Sequence, residues 1–178
     1  MAYFSKMKGS TKRPPKVNLT EMAWSFFGSF IGIGVVAFIN YRTFAGTEFI
    51  MIIGSFGASA VLIYGAVRSP LAQPRNLVGG HILSALIGVS AYKLLNGQIW
   101  LASALAVSAS IFLMHATGTL HPPGGATALI AVTGGPKICG LGYFYVLMPV
   151  GLGVLVMLMI ALAVNNIPKS RRYPEFWL

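Results

Sequence analysis

The chain contains no aspartate, and Glu21, Glu48 and Glu175 are its only carboxylates. Paired-carboxylate acid–base catalysis, Mg²⁺-dependent phosphoryl transfer and an oxygen-ligand metal cage are hard to build from that inventory. Cys139 is the single cysteine, which excludes an internal disulfide and a cysteine-based zinc site. Charge is scarce altogether, 9% of 178 residues, where soluble domains carry about 25%. The expectation is a protein with no cofactor, no metal site and no catalytic residue, and so not an enzyme.

What is abundant is apolar. Hydrophobic residues make up 56% of the chain, too many to hide in one water-soluble core. Thirteen basic residues against three acidic ones give a formal charge of +10. In a soluble protein that balance would point to nucleic acid. Here the bases flank long apolar runs, so the expected partner is the lipid bilayer and not nucleic acid. Lys6, Lys8, Lys12, Arg13 and Lys16 precede an apolar run that opens near Met22. That run lasts about 20 residues, longer than the 7–15 of a signal peptide core, and reads as a first membrane span. Pro14 and Pro15 suit a non-helical approach to it.

Charged residues are missing from 22–41, 49–67, 76–92, 94–136 and 138–168. A spanning helix needs about 20 residues, so the first three blocks fit one crossing each. The fourth is too long for one helix and contains Gly118, Pro122, Pro123, Gly124, Gly125, Gly134 and Gly135. It reads as a span over 99–116, a break, and a shorter segment over 121–135. The last block holds a span over 142–164. The spacing therefore predicts an all-α polytopic membrane protein of about six membrane elements. A basic cytoplasmic segment over 1–20 precedes a single membrane domain over 21–167, and a basic tail follows over 168–178.

Two of the six elements are broken or short. The second, Glu48 to Val67, is interrupted by Gly54, Ser55 and Gly57, and the fifth runs only from His121 to Gly135. Short, Gly/Pro-interrupted segments at matching places in two halves mark substrate sites in transporters. A shift of 68 residues lays Gly57-Ala58-Ser59-Ala60-Val61-Leu62 on Gly125-Ala126-Thr127-Ala128-Leu129-Ile130, with three identities. A 3+3 inverted repeat accounts for this, and so does chance likeness between small-residue helices, because downstream the shift fails. If all six elements cross, ten basic residues lie on the side of both termini and three on the other. The positive-inside rule then places both termini in the cytoplasm. Trp24, Tyr41, Tyr64, Tyr92, Trp100, Tyr143 and Trp177 sit near span ends, as interfacial aromatics do. Gly28 and Gly32 form a GxxxG, which predicts close helix contact within the subunit or a homo-oligomer face.

The most unusual stretch is Thr119-Leu120-His121-Pro122-Pro123-Gly124-Gly125-Ala126-Thr127-Ala128-Leu129. Together with Arg68-Ser69-Pro70-Leu71-Ala72-Gln73-Pro74-Arg75-Asn76 and Gly79-Gly80-His81, it resembles the HPP family of integral membrane proteins, named for its His-Pro-Pro tripeptide. The resemblance runs from about Trp24 to Ala163. It implies a transporter, and since plastid and cyanobacterial members are associated with nitrite, it implies nitrite among small inorganic anions. The expected location is a bacterial or cyanobacterial inner membrane.

The residues carry an argument of their own. A residue before proline is pushed out of the α region, so His121 resists a helix interior. Pro122 suits a first helical position, where its missing N–H is no loss. His121 is thus the expected N-cap of a helix that starts inside an apolar region. Such an end carries about half a positive charge, favours an anion, and opposes protonation of the histidine. Pro122 and Pro123 remove two donors there, leaving Gly124, Gly125, the His121 imidazole and Thr127. At the other break, Ser55, Gly57 and Ser59 keep their N–H groups. His115, at the end of the fourth span, is a further candidate for contact with substrate. Arg68, Arg75, Asn76 and His81 are candidates for the mouth of the pathway. Two other functions remain open: an intramembrane enzyme using a Ser/His pair such as Ser59 with His121, and a structural subunit that transports nothing.

Overall fold

The computed structural model describes residues 3–8, 16–47, 49–95 and 97–178. Lys12, Arg13, Pro14, Pro15 and Glu48, all named above, lie outside them. The described residues form helices and no strands: α1 (Leu19–Ile39), α2 (Gly54–Ala60), α3 (Pro74–Leu94), α4 (Ile99–Thr117), α5 (Pro122–Thr133), α6 (Gly135–Gly140) and α7 (Leu152–Asn165). Both α1 and α2 continue into a π-helical turn, Asn40–Phe44 and Val61–Gly65, and another, Val146–Gly151, leads into α7. Four stretches are long and apolar enough to cross a membrane: Leu19–Phe44, Pro74–Leu94, Ile99–Thr117 and Val146–Asn165.

Local chemistry sets the ends. Asn18 accepts the Glu21 N–H at 2.9 Å and so caps α1. Proline opens both α3 and α5 at the first helical position. Gly118 closes α4 with φ +64°, which lets the Thr119 N–H reach the Met114 carbonyl at 2.9 Å.

The two elements marked as broken are half extended and half helical. Residues 49–53 run without helix into α2, their backbone held where Met51 N–H donates to Asn40 Oδ1 at 2.7 Å. With the helix that follows, this element reaches about 34 Å at roughly 3.3 Å per extended and 1.5 Å per helical residue. Thr119, Leu120 and His121 lead into α5 in the same way, for about 28 Å. The first exceeds a hydrocarbon core of about 30 Å, and the second comes within about 2 Å of one.

Packing joins α3 to α4 and α5, and α1 to α7. The α3–α5 contact depends on missing side chains. A Cβ at Gly80 would lie 2.6 Å from His121 Cβ, and one at Gly88 would lie 2.6 Å from the Ala128 carbonyl oxygen. From the other side, a Cβ at Gly124 would meet the Gly80 carbonyl at 2.8 Å. The Gly28/Gly32 face, which the sequence left open to a second subunit, is filled by this chain's own Tyr64. Tyr64 is therefore no interfacial aromatic. It is fully buried, and its hydroxyl donates to the Met157 carbonyl at 3.3 Å.

Cross-contacts define two ends of the bundle. At one, Glu21 meets Ser170 and Arg171, Arg68 donates to the Ser170 carbonyl at 2.9 Å, and Arg75 donates to the Thr117 carbonyl at 2.7 Å. At the other, Lys137 reaches the Thr47 carbonyl and Ser90 pairs with Tyr143. The start of α1 and the chain after α7 thus share one end. The basic tail is also not loose. Arg171 is buried and bonds Glu21, Ser25, Asn165 and the Tyr64 carbonyl. Tyr173 donates to the Ala72 carbonyl at 2.8 Å, and burial pushes its phenol above the ordinary range.

Candidate functional site

Where α2 and α5 cross, the apolar interior holds a continuous polar chain. α2 presents Ser55 and Ser59, four residues apart and so on one helix face. α5 presents Thr127, with His121 at its N-cap, and α3 contributes His81. All five are fully buried. Ser59 Oγ lies 2.7 Å from His81 Nε2 and 2.9 Å from His121 Nε2. His81 Nδ1 is 2.7 Å from Thr127 Oγ1, which donates to Ser55 Oγ at 2.8 Å. His121 Nδ1–H donates to the Leu71 carbonyl at 2.7 Å. The crossed pairs, Ser55 with Thr127 and Ser59 with His121, make the two half-helices antiparallel, each with its N-terminus inside the bundle.

Neighbouring elements fix this chain. Asn76 donates to the Leu120 carbonyl at 2.8 Å and holds the extended entry to His121. Pro70–Ala72 forms a 3₁₀ turn that brings the Leu71 carbonyl to the ring. Tyr145 donates to the Thr127 carbonyl at 3.1 Å, and the Phe56 ring packs edge-on to His81. Among the described residues no buried side-chain polar atom lacks a partner.

Several expectations need correction. His81, placed by sequence at the mouth, is at the centre. His115 is exposed on the outer side of α4, and Gly57 and Pro122 are exposed as well. Gly57 lies two residues from each serine and so faces away from the cluster. It lines a groove of about 720 Å³ between α1 and α2 with Phe26, Phe30 and Val61. Gly125 lines the matching groove, about 460 Å³, between α4 and α5 with Val107, Ile111 and Leu129. His121 occupies the N-cap position, but its side chain makes no cap hydrogen bond. The free donors expected there are taken, since the Gly124 N–H goes to the His121 carbonyl and both ring nitrogens have partners. Pro123 and Gly124 are buried behind the cluster. Arg68 and Arg75 are exposed and act as ties between segments.

Sequence reasoning missed Ser84, Tyr145 and Asn165, all buried. The available signal was a polar side chain inside a charge-free block. Ser59 and His121 do meet as the enzyme reading requires. No carboxylate stands behind the ring, whose Nδ1 is used by the Leu71 carbonyl.

A family model described as HPP, transmembrane region, matches residues 14–174. A transmembrane protein of Dictyostelium discoideum is 51% identical over 178 residues, covering 98% of this chain and 57% of the relative. A second from the same organism is 48% identical over 180 residues, with 98% and 63% covered. The chain thus spans about six-tenths of the length of these relatives. Both are eukaryotic and lend no support to a bacterial source. No solved structure matches.

Proposed function

The chain belongs to the HPP transmembrane family, and we propose that it carries a small inorganic anion, nitrite first, across the bilayer where α2 and α5 cross. One observation carries this reading: two half-helices begin inside the membrane domain and meet at a fully buried polar chain. Polar clusters inside a membrane domain are costly to maintain, and transporters place substrate sites at such breaks. The charge pattern favours an anion. Both half-helices direct their positive ends inward, and the described carboxylates, Glu21 and Glu175, lie at the end shared by the tail. The cluster is closed on itself, so transport requires α2 and α5 to part and the anion to replace contacts they now make with each other. The matching grooves beside Gly57 and Gly125 favour an inverted repeat as the basis of that motion, and the basic end is assigned to the cytoplasm.

The enzyme reading is favoured by the 2.9 Å Ser59–His121 contact alone. Turnover of ester substrates in detergent, with no gradient, would support it. The transport reading is tested by flux of nitrite, nitrate, formate and chloride into proteoliposomes. Nitrite is expected to cross fastest. His121→Asp, which puts a carboxylate in the anion's path, is expected to stop flux at unchanged membrane abundance. Flux no greater than in empty liposomes for all four anions would overturn the reading.

A further inference from the structure

The protons in the polar chain can be counted. A carbonyl only accepts, so the Leu71 contact requires a proton on His121 Nδ1. Thr127 has one hydroxyl proton, directed to Ser55 Oγ at 2.8 Å and toward the Pro123 carbonyl at 3.3 Å. With Thr127 the donor in both contacts, its 2.7 Å contact with His81 takes its proton from His81 Nδ1. Both rings therefore carry Nδ1–H. If both are neutral, both Nε2 atoms are bare lone pairs, and both face Ser59 Oγ, at 2.7 and 2.9 Å. Ser59 has a single proton to offer. One of its two contacts is then lone pair against lone pair, unless one ring carries a second proton.

From this we infer that the His81–Ser59–His121 bridge is a proton-binding site that holds one proton more than two neutral histidines, loaded together with the transported anion. The second clause rests on the transport reading above. The extra proton makes every contact in the chain a hydrogen bond. It also places one positive charge beside two positive helix ends, in a region where the described residues offer no carboxylate to neutralise it. α2 adds only hydroxyls, α4 presents the Met114 sulfur to Ser84, and α5 adds Thr127. From α3, Arg75 turns outward to the Thr117 carbonyl. Two buried phenols, Tyr145 and Tyr173, are spent on the Thr127 and Ala72 carbonyls. The permeant anion is the remaining counter-charge, so proton and anion bind and leave as a neutral pair. On loading, an O–H bond of hydronium breaks as the ring N–H forms and leaves water; on release the N–H breaks and water on the other side becomes hydronium.

The chain has three histidines, which makes ring ¹⁵N spectroscopy of the full protein in liposomes tractable. His115, exposed on α4, is assigned by its loss in His115→Asn. As the pH is lowered, the His81/His121 pair is expected to gain one proton per chain, at Nε2, and to gain it at higher pH when nitrite is present. Ser59→Ala, which removes the bridge, is expected to abolish that shared signal while both rings stay visible. Two rings holding one proton each throughout, with and without nitrite, would overturn the site. In sealed liposomes, one proton is expected to enter per nitrite, read by an internal pH dye against protein-free liposomes. Nitrite entry as an uncompensated current would overturn the coupling and leave the transport reading intact. Titration of the pair without flux of any of the four anions would uphold the proton site and overturn the transport reading.

Discussion

Thr127 shows how much one side chain decides here. Its oxygen takes the His81 contact and its proton goes toward Ser55, so it links the two serines' helix to the histidine pair. Thr127→Val keeps the shape and removes both functions, leaving a ring N–H and a hydroxyl buried without partners. The expected loss is about 1–3 kcal/mol of stability, the usual consequence of an unsatisfied buried group. It is read as a lower unfolding temperature in detergent, with Thr127→Ser close to the parent. A valine variant as stable as the parent would mean that the chain's geometry contributes nothing to folding.

At the scale of elements, close approach through small residues governs what packs where. Tyr64, on the turn after α2, occupies the notch cut by Gly28 and Gly32 in α1. A methyl group at Gly32 would collide with the tyrosine ring. Gly32→Ala should therefore cost about 1–3 kcal/mol through overpacking, and combining it with Tyr64→Leu should recover part of the loss. The reverse result, a double variant worse than the sum of its parts, would place the contact elsewhere. The sequence foretold that α1 packs tightly through these glycines, but not what they pack against, because the partner is 32 residues on and across a break. The break before α5 was legible, since proline's restriction of His121 is a property of two adjacent residues. The serine face of α2 was legible in principle from its i, i+4 spacing, and Gly57 was misplaced by treating neighbours in sequence as neighbours on a helix. His81 was not legible as a central residue. Its place depends on Gly80, which lets His121 come close, and on a crossing between helices that no local pattern records.

For the whole molecule, the paired ends set the topology. Glu21 at the start of α1 and Arg171 beyond α7 form an ion pair of 2.7 Å, so an even number of crossings separates them. Cysteines placed at Val17 and Lys169, both exposed, in a Cys139→Ser background, should react with an impermeant thiol reagent from the same side. The basic residues predict the cytoplasmic side. Labelling from opposite sides would overturn the arrangement of six crossings.

The Glu21–Arg171 clasp also orders events during synthesis. Its two halves are 150 positions apart in the chain, so α1 enters the bilayer long before the residues that tie it down have been translated. Until then α1 has no α7 to lie against, although Tyr64, only 32 residues beyond Gly32, is made early enough to fill the glycine notch. The α3–α4–α5 unit, whose most extensive contacts are among its own three helices, can assemble without waiting. Of the spans described, the earliest made is the last one secured, and whatever escorts it in the interval must tolerate a helix whose α7-facing side is still empty.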